Sequence, residues 1–195
     1  MDRELINRSI RFSEKKQTEL AQSTSQDSWR RSLVKTWSDS GKLLAAFSPT
    51  NKELCRDEDR IFDRDHADAF PSLNRIRLTF GAETSETLVF LHLKDFCNAE
   101  GIKNYNPIQM QDIGEVITSE YGFINVGELA VFFRKLKAGK YGRTFGNSLQ
   151  CTAITGALNE FLAYRSREID RIEQCKREAE RNKLFEIKEQ KGQKQ

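Results

Sequence analysis

"ETLVFLHLKDFCNAEG", residues 86–101, decides how this chain is built. Its front half, TLVFLHL, would by itself suit a buried strand, since a short apolar run does not distinguish strand from helix. The apolar pattern continues, however, through Phe96 and Cys97 to Gly101, which predicts a helix with a terminating glycine. Leu88, Val89, Leu91, Leu93, Phe96 and Cys97 lie almost all round that helix, so it is expected to be central and buried.

The neighbouring segments carry the same period. Upstream, SLNRIRLTFG (72–81) places Leu73, Ile76 and Phe80 at helical spacing and stops at Gly81. Downstream, in NPIQMQDIGEVITSEYG (106–122), Asn106 suits an N-cap and Pro107 the first helical position. Gln109 is placed to complete a capping box, and Ile113, Val116, Ile117 and Tyr121 form the apolar face. Asn125 and Glu128 repeat the start signal. Val126, Leu129, Ala130, Phe132, Phe133 and Leu136 then face inward as far as Gly139. A last helix is expected from Leu149, capped by Asn147 or Ser148, with Ile154, Leu158, Phe161, Leu162 and Arg165 along its face. The fold class that follows is all-α: a bundle of four or five core helices with a long charged C-terminal helix.

Outside this core, expected over 73–165, the composition changes. Residues 1–72 read as a largely flexible polar and charged region, with 1–28 mobile because they bury too little surface to offset ordering entropy. Within it SWRRSLVKTW sets Trp29, Leu33 and Trp37 at i, i+4, i+8, the stripe of a short amphipathic helix. From Arg165 onward there are ten Lys/Arg against seven Asp/Glu, so 166–195 is expected to project as a solvated helical extension. Ile169, Ile172 and Ala179 are too sparse there for a sustained coiled-coil seam.

Composition bounds the function classes. Of 195 residues, 37% are hydrophobic and 31% charged, which fits a modest core with part of the chain solvated. A net charge of +3 neither demands nor excludes nucleic acid, so clustering must decide. Cys55, Cys97, Cys151 and Cys175 are widely spaced, with no C-x-x-C, which predicts reduced thiols in a cytoplasmic setting and neither disulfides nor a zinc site. No apolar run is long enough for a signal peptide or a membrane span, so no membrane association is expected.

The most patterned stretch is FFRKLKAGKYGRTFGNS, 132–148. It is not a P-loop, because no lysine follows the last glycine. Two readings stand. Arg134, Lys135, Lys137, Lys140 and Arg143, joined by Arg165 and Arg167, could track a phosphate backbone while Tyr141 or Phe145 stacks on a base. Alternatively Gly139 is a helix C-cap, the lysines favour the negative helix end, and the aromatics pack back on the core. The acidic run Asp57, Glu58, Asp59, Asp63, Asp65, His66, Asp68 alternates in sign and lacks the glycine pattern of a calcium loop, so a solvated linker is expected and no metal or other cofactor. His92, on an apolar helix, reads as a hydrogen-bonded core histidine. No nucleophilic or acid–base constellation stands out, so no enzyme is predicted.

From residue 72 onward the order of segments resembles a family of small helical proteins of uncharacterised function from Bacteroidetes and their phages and mobile elements. The residues that carry it are SLNRIRLTFG, SEYGFINVGELAVFFRKLKAGKYGRTFG and ALNEFLAYR, about 72–168, with the charged tail outside. The resemblance brings no catalytic residues. It implies a replication or mobile-element setting, in a cytoplasm, an infected host cell or a virion. The resulting expectation is a non-enzymatic, nucleic-acid-associated accessory protein that binds DNA or a replication protein. The alternative is a structural or scaffolding protein that offers Trp29, Leu33 and Trp37, and its charged tail, to protein partners. One contiguous basic face would favour the first; cations mixed evenly with carboxylates would favour the second.

Overall fold

A computed structural model describes residues 24–66, 69–103, 105–142 and 148–192. At its centre is the segment that decided the fold: a helix over Ala82–Ala99 with Leu88, Val89, Leu93, Phe96 and Cys97 buried. All the regular structure among the described residues is helical, and the chain is all-α.

In chain order the α-helices are α1 (Thr24–Trp37), α2 (Ser40–Ala46), α3 (Glu58–Phe62), α4 (Leu73–Phe80), α5 (Ala82–Ala99), α6 (Pro107–Glu120), α7 (Val126–Lys137) and α8 (Cys151–Gly192). Short 3-10 turns lie at Lys52–Cys55 and Arg64–His66. α5 packs against α4, α6 and α7, and α2 also lies on it; α8 lies against α3 and α7. α7 is buried nearly all round, with Val126, Leu129, Val131, Phe132, Phe133 and Leu136 inside. Phe132 is the hub of the aromatic packing, with ring centroids 5.0 Å from Phe133, 5.6 Å from Phe161 and 5.9 Å from Tyr141.

The starts of α4 and α7 are tied together. Leu73 N–H donates to the Ile124 carbonyl and Val126 N–H to that of Pro71, both at 3.0 Å, closing an isolated antiparallel bridge between Ser72 and Asn125. The helices approach closely here. A Cβ on Gly127 would sit 2.9 Å from Ile61 and 2.8 Å from Phe70, so only glycine lets α7 start against α3.

Several start signals form as expected. Asn125 accepts from Glu128 N–H at 2.8 Å while Glu128 accepts from Asn125 N–H at 2.9 Å, a complete capping box. Asn106 caps α6 with Pro107 at its first turn. Gln109 departs from expectation: it closes no capping box, and its side-chain amide donates to the Leu149 carbonyl at 2.6 Å, tying α6 to the approach of the last helix. α8 begins at Cys151 rather than Leu149. Leu149 is instead buried in the approach to the helix, Ser148 is no cap, and Asn147 lies outside the described residues.

The larger corrections lie at the two flanks. The stretch expected to be a solvated linker is part of the body, with Ile61 and Phe62 buried, and ahead of it Leu43 and Phe47 are buried too. Asp57 caps α3 through Arg60 N–H, and the single Ile-Phe pair in that helix faces α8. Two adjacent apolar residues suffice when a neighbour waits for them, although the surrounding charges hide them in a composition average. At the other flank, α8 is one unbroken helix of 42 residues, about 63 Å at 1.5 Å per residue. Its packed part runs past Arg165, because Ile169 and Ile172 are buried against the body. α1 starts at Thr24, ahead of its expected start at Ser28; the mobility expected of residues 1–23 lies outside the described residues.

Candidate functional site

The basic residues proposed from the sequence come from α7, the connector after it, and α8. In α7 the helix end explains why they are there: three cations in its last turn favour its negative terminus. Side-chain contacts then decide what they can do. Arg134 pairs with Glu58 and donates Nη1 to the Cys55 carbonyl at 2.8 Å. Lys135 lies 3.4 Å from the same Glu58 and 4.2 Å above the Tyr164 ring. Lys137 pairs with Asp95 on α5. Arg165 donates Nε to Glu128 at 2.7 Å. Cations expected to form a phosphate track are therefore neutralised by carboxylates from α3, α5 and α7. Lys140 and Arg167 are exposed and make no ion pair among the described residues; Arg143 and Phe145 lie outside them.

Glu58 is the junction of this region. Besides Arg134 and Lys135 it accepts from Tyr164 Oη at 2.8 Å, and this contact and burial push the Tyr164 phenol well above its usual range. One carboxylate thus links α3, α7 and α8. The charged run beyond it is equally engaged. Arg171 reaches Asp59, and Lys176 Nζ bridges Asp63 and Asp65. Partial burial would raise the Asp63 carboxyl, but the Lys176 and Asp65 N–H bonds outweigh it and hold it below the usual carboxylate range. The acidic run is an ion-pairing strip for α8, and among the described residues no group of three or more His, Cys, Asp or Glu is arranged to hold a metal.

Tyr141 is not an open platform. It is half-buried against Phe132, its hydroxyl is enclosed with no hydrogen-bond partner among the described residues, and burial pushes the phenol up to about 12. Gly139 and Gly142 take left-handed conformations, φ 69° and 59°, which turn the chain back after α7. This stretch is a corner that returns an aromatic ring to the core. The N-terminal stripe is also used internally: Leu33 is buried, Trp37 lies 4.9 Å from Phe47, and Arg75 sits 5.4 Å over Trp29. These contacts brace α1 on α2 and α4.

Single large hydrophobics, Val34, Leu78, Ile108 and Phe123, are exposed elsewhere, but the far end of α8 gathers several together. Leu184, Phe185 and Ile187 are exposed by 60%, 59% and 49%, three large apolar side chains within a single turn, beyond the last core-packed residue, Ile172. Sequence reading missed them because three apolar residues in a charged tail make no repeat. The signal was their clustering, LFEI, in a stretch otherwise almost free of large hydrophobics.

No helix among the described residues is long and apolar enough to cross a membrane. No curated protein and no solved structure matches the chain. Residues 106–191 match a family of unknown function, DUF6633, so the likeness begins at α6, later than the sequence pattern suggested, and it takes in the charged tail that had been placed outside it.

Proposed function

We propose that this chain acts through protein–protein contacts, as a scaffolding element whose contact surface is the distal half of α8. The observation that carries the reading is the exposed Leu184–Phe185–Ile187 cluster on a helix that runs 20 residues, about 30 Å, past Ile172. Clustered apolar side chains at the end of a free helix favour a second helix laid across them. The helix that fits is the same segment of a second copy. Glu178, Glu180, Arg181 and Lys183 flank the cluster with both signs of charge, so antiparallel copies can set unlike charges together around a two-fold axis. The neutralised cations of α7 and Arg165 add support, since evenly mixed charge favours a protein contact over a phosphate track.

A second reading keeps a nucleic-acid role. Lys140 and Arg167 are exposed and make no ion pair among the described residues, and together with Arg143 they would be the phosphate contacts. The replication or mobile-element setting belongs to this reading, as do DNA or a replication protein as partners. Fluorescence anisotropy with labelled DNA, repeated at several salt concentrations, separates the two. The scaffold reading predicts weak binding that Lys140→Ala and Arg167→Ala leave unaltered. Affinity that falls steeply with salt, with a flatter slope in each variant, would support the nucleic-acid reading instead.

A further inference from the structure

The chain enters the described structure at Thr24, and the contacts of α1 fix where that point lies. Trp37, at the far end of α1, packs on Phe47, which lies 6.2 Å from Phe70, just ahead of α4. Arg30 reaches the Leu78 carbonyl, near the other end of α4. α1 therefore runs antiparallel to α4. The stretch from Arg30 back to Thr24, about 9 Å of helix, brings the chain to the level of the first turn of α5.

This end of the body presents two kinds of side chain to solvent. Leu78 is 60% exposed on α4, and Val34 is 45% exposed on α1, one turn along the same face as Arg30. The carboxylates follow directly in the chain. Glu83 and Glu86 stand three apart on α5, and Asp112 and Glu115 three apart on α6; each pair sets like charges side by side at a small cost to its own helix. α6 crosses α5 closely here: a Cβ on Gly114 would lie 3.8 Å from the Glu86 carbonyl, which brings Glu115 to the Glu83–Glu86 turn. None of these four carboxylates makes an ion pair among the described residues. On the other side of the body, by contrast, Glu58, Asp95, Glu128 and Asp63 are all taken up by cations of α7 and α8. Arg77 is the cation in the last turn of α4, so the acidic charge is in excess.

Residues 1–23 carry the complement. Arg3, Arg8, Arg11, Lys15 and Lys16 are interleaved with Leu5, Ile6, Ile10 and Phe12. Composition by itself predicts mobility for this stretch, because it cannot bury enough of its own surface; a matching face where the chain enters the body supplies that burial. We propose that the 3–16 segment docks back on its own chain at the junction of α1, α4, α5 and α6, with its apolar residues over Leu78 and Val34 and its cations against Glu83, Glu86 and Glu115. Lys16 is eight residues from Thr24, a reach of up to about 27 Å, or about three times the spacing between packed helices. The site is separate from the distal end of α8, so either assignment can fail without the other.

Trypsin reads the docking directly, because cleavage after Arg8 or Arg11 requires the segment to leave the face. The full-length protein is digested briefly, and the early fragments are timed by mass, in the parent, in Glu83→Gln/Glu115→Gln and in Leu78→Ser. All three positions are exposed and lie in the body, so the cleaved sequence itself is unchanged. Both variants are expected to be cut about fivefold faster than the parent after Arg8 and Arg11, with the helical far-UV circular dichroism spectrum retained. At about 0.5 M NaCl the parent is expected to be cut as fast as the Gln variant, whose own rate changes little. A cleavage rate unchanged in either variant, or a parent rate that salt leaves unaltered, would overturn the proposal. So would protection that grows with protein concentration, which would put the segment on another copy.

Discussion

Arg165 on α8 donates Nε to the buried carboxylate of Glu128 on α7 at 2.7 Å, and the same carboxylate closes the capping box that starts α7. A residue that looked like a phosphate contact is therefore a structural counter-ion. Burial raises the Glu128 carboxyl, and Arg165 works against that rise. Replacing Arg165 by Leu leaves a buried carboxylate without its partner and is expected to destabilise the fold by about 3 kcal/mol. Urea unfolding checks the magnitude. Glu128→Gln combined with Arg165→Leu should recover part of the loss, because no ionised group is then stranded.

Tyr141 offers a sharper contrast, since its ring and its hydroxyl pull in opposite directions. The ring rests on Phe132 at 5.9 Å between centroids, and the enclosed hydroxyl has no partner among the described residues. Tyr141→Ala is expected to cost about 3 kcal/mol through lost packing. Tyr141→Phe is expected to be neutral, or to stabilise by about 1 kcal/mol, by removing an unsatisfied buried polar atom. Thermal melts of the two variants test this; a stacking platform in solvent would leave both melting temperatures near the parent value.

His92 makes stability depend on pH. Burial, with Lys137 nearby, lowers its pKa from 6.5 to about 4 against the opposing Phe47 bond and Asp95. The unfolded chain therefore takes up the proton at higher pH than the folded one. The His92 contribution is complete above about pH 6.5 and is lost as pH falls through about 4. Between pH 7 and 5 unfolding free energy is expected to fall by about 2 kcal/mol. His92→Gln, which can still donate to the Phe47 carbonyl, should flatten that slope when denaturation is measured at both pH values.

Local signals were legible and distant ones were not. The capping box at Asn125–Glu128, the buried period of α5 and the glycine that ends α7 at 139 each depend on residues a few positions apart, and each forms as read. The ion pairs of the candidate basic residues were hidden for the opposite reason. Arg134 finds Glu58 across 76 residues, Lys137 finds Asp95 across 42 and Arg165 finds Glu128 across 37, and no local pattern announces such pairs. α3 was hidden in the same way. Ile61 and Phe62 carry no period of their own and become core only because α7 and α8 pass over them.

The central claim, that the distal end of α8 is a contact surface between copies, is tested most directly by sedimentation velocity over a range of protein concentrations. The parent chain is expected to shift from monomer to dimer as concentration rises. The double variant Leu184→Glu, Phe185→Glu is expected to remain monomeric with an unchanged melting temperature, because both side chains are exposed and outside the core. A parent chain that stays monomeric up to about 100 μM, well above the roughly micromolar affinity of a modest helix pair, would contradict it.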